Sequence, residues 1–226
     1  MTYAKEFVSQ LQHELPQLAN RTKAIGAENY MKNISPFLGV QTPDRRRIVT
    51  LLAKSMSSPN SGELGKTARA LWKLDFREYQ YAACDLIDYH SDVASADFLQ
   101  DHVEFLITHK SWWDTVDALG NAAVSPLTDK YGCEELIERW NRSSNIWLIR
   151  SAIQHQRGRK LETDVKLVLR YCDQHSDSKE FFIVKAIGWA LRDISKIAPN
   201  DVRKFLLSHP QLGSVAVREA KRGLAR

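Results

Sequence analysis

A recurring aromatic residue at the start of predicted helices constrains the fold of this chain more than any other feature. Tyr79, Trp113, Trp147 and Phe182 each open an apolar helical pattern, and they are separated by 34, 34 and 35 residues. A repeat of this length with two helices per unit is typical of proteins in which helix pairs bury their apolar faces by stacking on their neighbours. The sequence therefore predicts a stack of helix pairs.

Helical periodicity extends over the rest of the chain. Apolar residues recur at spacings of three and four, without sustained alternation, in segments 68–74, 79–89, 103–107, 146–153, 165–171 and 182–194. The tetratricopeptide spacing is absent, and HEAT-like pairs fit the pattern better. We predict an all-α fold, a right-handed α-solenoid of HEAT-like helix-pair repeats with a concave face, in a single domain covering residues 1–226.

Charge is distributed unevenly along the 226 residues. The net charge is +5 overall, with about +3 in residues 1–50, −5 in residues 51–150 and +7 in residues 151–226. Two basic arms around an acidic middle suit a protein that grips a phosphate backbone at both ends. A high isoelectric point is also common among soluble proteins, so charge alone leaves both interpretations open.

Helix boundaries are marked by capping residues. Thr42-Pro43-Asp44 predicts an N-cap at Thr42, with proline in the first turn. Ser111-Trp112-Trp113-Asp114 fits a capping box in which Asp114 is the acid. On that interpretation, Asp114→Asn would cost a fraction of a kcal/mol to about 1 kcal/mol and would leave the chemistry intact. Ser125-Pro126, Ala198-Pro199 and His209-Pro210 indicate further helix boundaries.

Asp117 breaks the repeat. The position four residues after each helix-opening aromatic is Ala83, Asp117, Ser151 or Ala186, so three of the four are small. A carboxylate in a register that packs closely is costly unless it has a partner or a task. A structural ion pair with Arg150, one repeat later, and a chemical role explain Asp117 equally well.

Two tryptophans share the level of Asp117 in the predicted repeat. Trp113 lies on the same helix face as Asp117, and Trp189 occupies a corresponding level two repeats later. This arrangement predicts two indoles, one carboxylate and the Arg150 guanidinium on neighbouring helices. Core packing is the alternative for each indole, and we assign Trp72, Trp140 and Trp147 to the core.

Basic residues near helix starts and in loops suggest phosphate contacts. A helix N-terminus beside arginines is an anion site, although a solvated basic face explains each residue equally simply. The candidates are Gln41, Thr42, Arg45, Arg46 and Arg47 at one helix start, Arg157, Arg159 and Lys160 in a loop, Lys179 just inside a later helix, and Arg192.

Several other chemistries find no support in the sequence. There is no HExxH, CxxC, Walker A or GxGxxG motif. The seven histidines form no i,i+4 ligand pair, so we expect no metal. Cys84, Cys133 and Cys172 lie in apolar patterns and are predicted to be core residues. With no apolar signal segment at the N-terminus, we expect a reduced, soluble, cytoplasmic protein.

Four separated segments resemble the AlkD-type DNA alkylation repair glycosylases, a family of HEAT-like proteins. They are MKNISPFLGVQTPDRRR (31–47), KSWWDTVDALG (110–120), SSNIWLIRSAI (143–153) and SKEFFIVKAIGWALRD (178–193). The resemblance implies a monofunctional glycosylase that hydrolyses the N-glycosidic bond of cationic N3- or N7-alkylated purines, such as 3-methyladenine and 7-methylguanine. It further implies a monomer acting on alkylated duplex DNA in the bacterial-type nucleoid, without base flipping, metal, cofactor or membrane.

Site residues follow from the same resemblance. The catalytic acid and two tryptophans of the family match Asp117, Trp113 and Trp189, and the neighbouring arginine matches Arg150. A cationic purine is already a good leaving group, so the remaining task is to stabilise oxocarbenium character on the sugar. Two alternatives stay open: a non-catalytic binder of branched or damaged DNA, and a protein-interaction scaffold.

Overall fold

The structure is a computed structural model that describes residues 2–225, and every element in that range is helical. The α-helices are α1 (Tyr3–Glu14), α2 (Arg21–Tyr30), α3 (Thr42–Ser55), α4 (Ser61–Lys73), α5 (Arg77–Tyr89), α6 (Glu104–Thr108), α7 (Trp113–Leu119), α8 (Ser125–Tyr131), α9 (Glu134–Asn141), α10 (Ile146–Ile153), α11 (Val165–Gln174), α12 (Phe181–Ile194), α13 (Pro199–Ser208) and α14 (Ser214–Leu224). The all-α prediction is therefore confirmed.

The chain divides into two units, Met1–Ala123 and Val124–Arg226. The division falls within a π-helical turn, Gly120–Val124, that follows α7. A second π-helical turn, Leu99–Val103, precedes α6 in the first unit. The single-domain assignment and the concave solenoid face stay predictions.

The first unit builds its core from paired helices. Helix α4 packs against α5 and α1, and α3 packs against α5. Trp72 is 1 % exposed in this core, as its sequence pattern predicted. Its indole Nε1 also donates to the carbonyl of His109 at 2.7 Å, which ties α4 to the end of α6.

An extended segment before α3 is fixed to α5 in the same unit. The buried Glu78 carboxylate accepts hydrogen bonds from the backbone N–H groups of Leu38, Gly39 and Val40 at 3.0, 2.8 and 3.2 Å. Gly39 has φ of +82°, and a Cβ there would lie 2.1 Å from the carbonyl oxygen of Asn20. Only glycine fits this crossing, because a side chain would be both strained and in collision with backbone.

The second unit has its own core around α12. This helix packs against α14 and α10, and α10 also packs against α9. Gly188 permits the close approach of α12 and α14, since a Cβ at this position would lie 2.9 Å from the Cα of Ala216. Trp140 and Trp147 are 0 % and 9 % exposed, which confirms their core assignment.

Cysteine burial follows the sequence prediction at two positions of three. Cys84 and Cys172 are buried, and burial raises the pKa of both thiols. Cys133 is only partly buried and occupies the N-cap of α9 with φ of +62°, so its assignment to the core was wrong. The chain turns at Gly132 and Cys133, which both have positive φ, and this turn places Cys133 at the start of α9 and not in the core. No helix in residues 2–225 combines the length and apolar character needed to cross a membrane.

Candidate functional site

The helix-opening aromatics occupy the helix starts that the repeat predicted. Trp113 is the first residue of α7, and Trp147 and Phe182 are the second residues of α10 and α12. Tyr79 is the third residue of α5. The repeat therefore marks the first turns of four helices, α5, α7, α10 and α12.

The small residues of the register are buried, whereas Asp117 is not. Ala83 and Ala186 are 0 % exposed and Ser151 is 4 % exposed, while Asp117 is only partly buried. Asp117 lies one turn after Trp113 on α7, so their side chains share one face of that helix. Asp117 thus places a partly exposed carboxylate at a position where the other repeats have a small buried side chain.

The capping-box prediction for α7 is wrong. The N-cap residue is Trp112, which makes no side-chain capping bond. The Ser111 hydroxyl instead donates to the carbonyl of Ile107 at 2.6 Å. Asp114 therefore has a different partner from the one its local sequence suggested.

Asp114 forms a buried ion pair with Arg77 of α5. Arg77 Nη2 lies 2.6 Å from Asp114 Oδ1, and Nε lies 2.9 Å from Oδ2. The two side chains are only 1 % and 6 % exposed. Arg77 Nη1 also donates to the carbonyl of Lys110 at 2.7 Å, so one guanidinium fixes both the start of α7 and the residues before it.

Tyr81 completes the surroundings of Asp114. Its hydroxyl donates to Asp114 Oδ2 at 2.6 Å. Burial, and secondarily the Asp114 charge, raise the pKa of Tyr81 far above its usual value, so the phenol keeps its proton. Because both carboxylate oxygens of Asp114 are engaged inside the protein, this group serves structure.

Trp113 lies on a small apolar cluster in the first unit. The cluster contains Ala24, Met31 and Phe37, and Trp113 packs against it while remaining partly exposed. Tyr30 meets Trp113 edge to face, with ring centroids 6.1 Å apart, and is itself 71 % exposed. The sequence analysis missed Tyr30, which is the last residue of α2 and carries no local motif signal.

Arg150 and Trp189 come together in the second unit. Arg150 is 1 % exposed, its Nη1 donates to the carbonyl of Phe182 at 2.7 Å, and its Cζ lies 5.1 Å from the centre of the Trp189 ring. Arg157 Cζ lies 4.9 Å and Lys185 Nζ 5.6 Å from the same ring. Trp189 is therefore surrounded by cations that its π-electrons attract.

The start of α3 differs from its prediction by one residue. Gln41 is the N-cap and Thr42 is the first helical residue, because the extended segment ends one position earlier than the Thr-Pro pattern suggested. Gln41 and Thr42 are both exposed. Gln41 makes no side-chain capping bond. Thr42 and Pro43, in the first turn of α3, are exposed to solvent.

Arginines 45 to 47 have three different environments. Arg45 is buried, with Nε 2.7 Å from Asp85 Oδ2, and lies over the Tyr81 ring at 4.9 Å. Arg46 is exposed and lies 3.2 Å from the other oxygen of Asp85. Arg47 is exposed and 3.9 Å from Asp44. Arg45 thus binds α3 to α5, whereas Arg46 and Arg47 face solvent.

The basic residues after α10 also separate into internal and exposed groups. Arg159 donates to Thr128 Oγ1 at 2.7 Å and lies 3.4 Å from Asp129, with 15 % of its side chain exposed. Burial lowers its pKa, as expected for a guanidinium that is largely removed from water. Lys160 is exposed and Arg157 partly so.

Two further candidates lie near α12. Lys179 is exposed but precedes Glu180, the N-cap of α12, so its placement inside the helix was wrong by two residues. Arg192 Nη1 lies 2.8 Å from the buried Glu219, which also contacts Lys185 and Arg222 at 3.8 and 3.1 Å. One carboxylate therefore faces three cations on this part of the second unit.

No group of three or more His, Cys, Asp or Glu side chains in residues 2–225 is arranged to hold a metal ion.

Comparisons find one matching family model and several similar solved structures. The family model described as DNA alkylation repair enzyme matches residues 11–224. A predicted DNA alkylation repair enzyme from Enterococcus faecalis is 28 % identical, with a TM-score of 0.85 over 92 % of this chain and 97 % of that one. AlkD2 from Streptococcus mutans shares the fold at 18 % identity, with a TM-score of 0.65 and 97 % of each chain covered. A search of curated proteins finds no match. The match over residues 11–224 shows that this chain belongs to the DNA alkylation repair enzyme family.

Proposed function

We propose that the protein is a monofunctional DNA glycosylase that removes cationic N3- and N7-alkylated purines from duplex DNA and leaves an abasic site. Family membership supports a role in DNA alkylation repair. The specific reaction follows from the chemistry available in α7, where a carboxylate and an indole share one helix face. We also propose that both units act as one functional domain, since the family match spans them.

The position of Asp117 in the aromatic repeat carries this proposal. Asp114 has its oxygens engaged by Arg77 and Tyr81 and serves the fold. Asp117 is partly exposed at a register position that elsewhere holds buried small residues. A partly exposed carboxylate at a register position that otherwise holds small buried residues favours a chemical role for Asp117.

Asp117 would act on the sugar and not on the base. A purine alkylated at N3 or N7 carries a positive charge and departs without prior protonation. As the glycosidic bond breaks, positive charge develops on the deoxyribose, and a preorganised carboxylate stabilises it. The same carboxylate can orient the water that attacks the sugar carbon. Water supplies the hydroxyl of the abasic sugar, and its remaining proton goes to solvent.

The aromatic residues would bind the damaged nucleotide. Trp113 offers an indole face to a cationic nucleotide and its sugar, an interaction that strengthens when water is excluded. The exposed Tyr30 extends this aromatic surface in the first unit. In the second unit the Arg150 guanidinium donates to the Phe182 carbonyl and lies over the Trp189 ring. Because Arg150 is 1 % exposed, we assign it to holding the Trp189 indole in place and not to a contact with DNA.

Phosphate contacts are assigned to basic and helix-terminal groups near the surface. These are Gln41, Thr42, Arg46 and Arg47 in the first unit, and Arg157, Lys160, Lys179 and Arg192 in the second. Arg45 and Arg159 were candidates from the sequence, but the internal contacts of Arg45 with Asp85 and of Arg159 with Thr128 favour a role in holding α3 and the loop after α10 in place. Binding through phosphates leaves the lesion in the duplex, without base flipping.

Strand scission tests the proposal directly. Duplex DNA with a single 7-methylguanine is incubated with the protein, and abasic sites are then cleaved with alkali. We expect scission at the lesion and none in undamaged duplex. Binding of the damaged duplex without scission would refute the glycosylase activity and would favour the non-catalytic DNA binder.

A further inference from the structure

Tyr81 of α5 links the start of α7 to the start of α3. Its hydroxyl donates to Asp114 Oδ2 at 2.6 Å, and Asp114 is the second residue of α7. The guanidinium of Arg45, the fourth residue of α3, lies over the Tyr81 ring with Cζ 4.9 Å from the ring centre. One phenol therefore contacts both the helix that carries Asp117 and the helix whose first turn is assigned to phosphate contacts.

Two donors on one face of α5 fix the Asp114 carboxylate. Arg77 and Tyr81 are four residues apart, so their side chains lie on the same side of that helix. Arg77 donates to both carboxylate oxygens, at 2.6 and 2.9 Å, and the Tyr81 hydroxyl is a further donor to Oδ2. Burial raises the pKa of Tyr81 well above its usual value, so the phenol stays protonated and remains a donor. Donors from two points of α5 fix the rotation of this carboxylate as well as its position.

The position of Asp114 governs the residues on either side of it. Trp113 directly precedes Asp114, and Asp117 follows it three residues later in the same seven-residue helix. Tyr81 and Trp113 also pack against one apolar cluster, in which the Phe37 ring centre lies 6.4 Å from that of Tyr81. A movement of Asp114 is therefore transmitted to the indole and to the carboxylate within one turn of helix.

We propose that Tyr81 is a positioning residue, whose hydroxyl sets the orientation of the first turn of α7 and thereby of Trp113 and Asp117. Its effect on excision rests on the proposed function, because Tyr81 acts through these two side chains. Its ring packs independently of its hydroxyl, so the two parts of the side chain can be separated by substitution.

Tyr81→Phe tests the hydroxyl in the full chain, because it keeps the ring beside Arg45 and removes the donor to Asp114. Single-turnover excision of 7-methylguanine is measured over a range of protein concentrations, which separates the maximal rate from the half-saturating concentration. A misplacement of about 1 Å can cost about 10²-fold in rate, so we expect the maximal rate to fall about tenfold or more. The half-saturating concentration should stay unchanged, since the groups assigned to phosphate contacts are intact.

Tyr171→Phe is the matched control. The Tyr171 hydroxyl is hydrogen-bonded to the Glu138 carboxylate in the second unit, and that carboxylate also binds Arg170 at 2.8 Å. The same oxygen atom is therefore removed from another group of tyrosine, carboxylate and arginine, on other helices. We expect Tyr171→Phe to excise at the wild-type rate. Equal maximal rates for the two variants would overturn the proposal, and so would loss of the folded state in Tyr81→Phe, because the hydroxyl would then serve the fold as a whole.

Fluorine NMR of protein labelled with 5-fluorotryptophan measures the displacement without reference to activity. The Trp113 signal is assigned by its absence from Trp113→Phe, and Trp140, which is 0 % exposed in the second unit, is the reference. We expect Tyr81→Phe to shift the Trp113 signal and to leave the Trp140 signal unchanged. An unchanged Trp113 signal would overturn the proposal, whether or not the wild-type protein excises 7-methylguanine. A shifted signal in a protein whose wild type excises nothing would refute the proposed function and support the positioning role of Tyr81.

Discussion

Removal of the Asp114 charge is expected to destabilise the first unit strongly. In Asp114→Asn the Arg77 guanidinium, 1 % exposed, loses the carboxylate charge that lies 2.6 Å away, while it remains buried. Breaking a buried ion pair by removing one partner costs about 3–5 kcal/mol. Asparagine preserves the side-chain shape, so the cost arises from charge and not from a cavity. This exceeds several-fold the cost of up to about 1 kcal/mol expected from a capping box.

Thermal and urea unfolding measure this cost. A chain of this size loses about 2–4 °C in melting temperature per kcal/mol, so we expect a decrease of about 10 °C. Asp44→Asn is the matched control, because Asp44 is 51 % exposed and lies 3.9 Å from the exposed Arg47. Its effect is expected to be within about 1 kcal/mol. Equal, small effects of both variants would refute the assignment of Asp114 to a buried structural pair.

Four further perturbations have expected outcomes. Burial lowers the pKa of His155 from 6.5 to about 4, so the unfolded chain binds a proton at this residue before the folded protein does. The free energy of unfolding should therefore fall by about 3 kcal/mol as the pH drops from 6.5 to 4. In urea titrations, His155→Gln should show a weaker dependence of stability on pH over this range. Gly39→Ala should lower the free energy of unfolding by about 2 kcal/mol or more, because φ is +82° and a Cβ would collide with the backbone of Asn20. The control is Gly26→Ala, where a Cβ has nothing within 4 Å, and it should raise the thermal stability slightly. The proposed mechanism assigns no acid to protonate the departing base, so excision should depend on the positive charge of the lesion itself. On matched oligonucleotides we expect rapid excision of 7-methylguanine and 3-methyladenine, and poor excision of hypoxanthine, 1,N6-ethenoadenine and uracil. Rapid release of hypoxanthine would contradict this mechanism. Duplex affinity should decline by about 0.9 decade per contacted phosphate for each decade of salt.

Local sequence patterns were sufficient to locate several of the helices. The apolar segments 146–153 and 182–194 correspond to α10 (Ile146–Ile153) and α12 (Phe181–Ile194). Periodicity succeeds here because the residues that bury a helix face recur within the helix itself. The aromatic repeat likewise located four helix starts, since equivalent positions in stacked repeats have equivalent packing.

Partners distant in sequence could not be predicted from local patterns. Arg77 and Asp114 are 37 residues apart, and Arg45 and Asp85 are 40 apart. Nothing in Ser111–Asp114 distinguishes an acid that caps its own helix from one that binds another. Glu78 was not singled out either, although its carboxylate fixes three backbone amides of the segment before α3.

The surroundings of Trp189 were also beyond the reach of sequence spacing. Its position on α12 was predicted from the repeat, but the cations at 4.9, 5.1 and 5.6 Å come from a loop, from α10 and from α12 itself. A loop conformation is set by its own hydrogen bonds and not by a repeat.

Single-turnover excision of 7-methylguanine by Asp117→Asn tests the central claim most directly. The substitution keeps the side-chain shape and removes the charge proposed to stabilise the oxocarbenium ion. Asp97→Asn, at an exposed carboxylate of the same unit, is the control. We expect Asp117→Asn to bind damaged duplex normally and to lose about 10²–10³ in excision rate, while Asp97→Asn matches the wild type. Excision by folded Asp117→Asn at the wild-type rate would contradict the proposed mechanism.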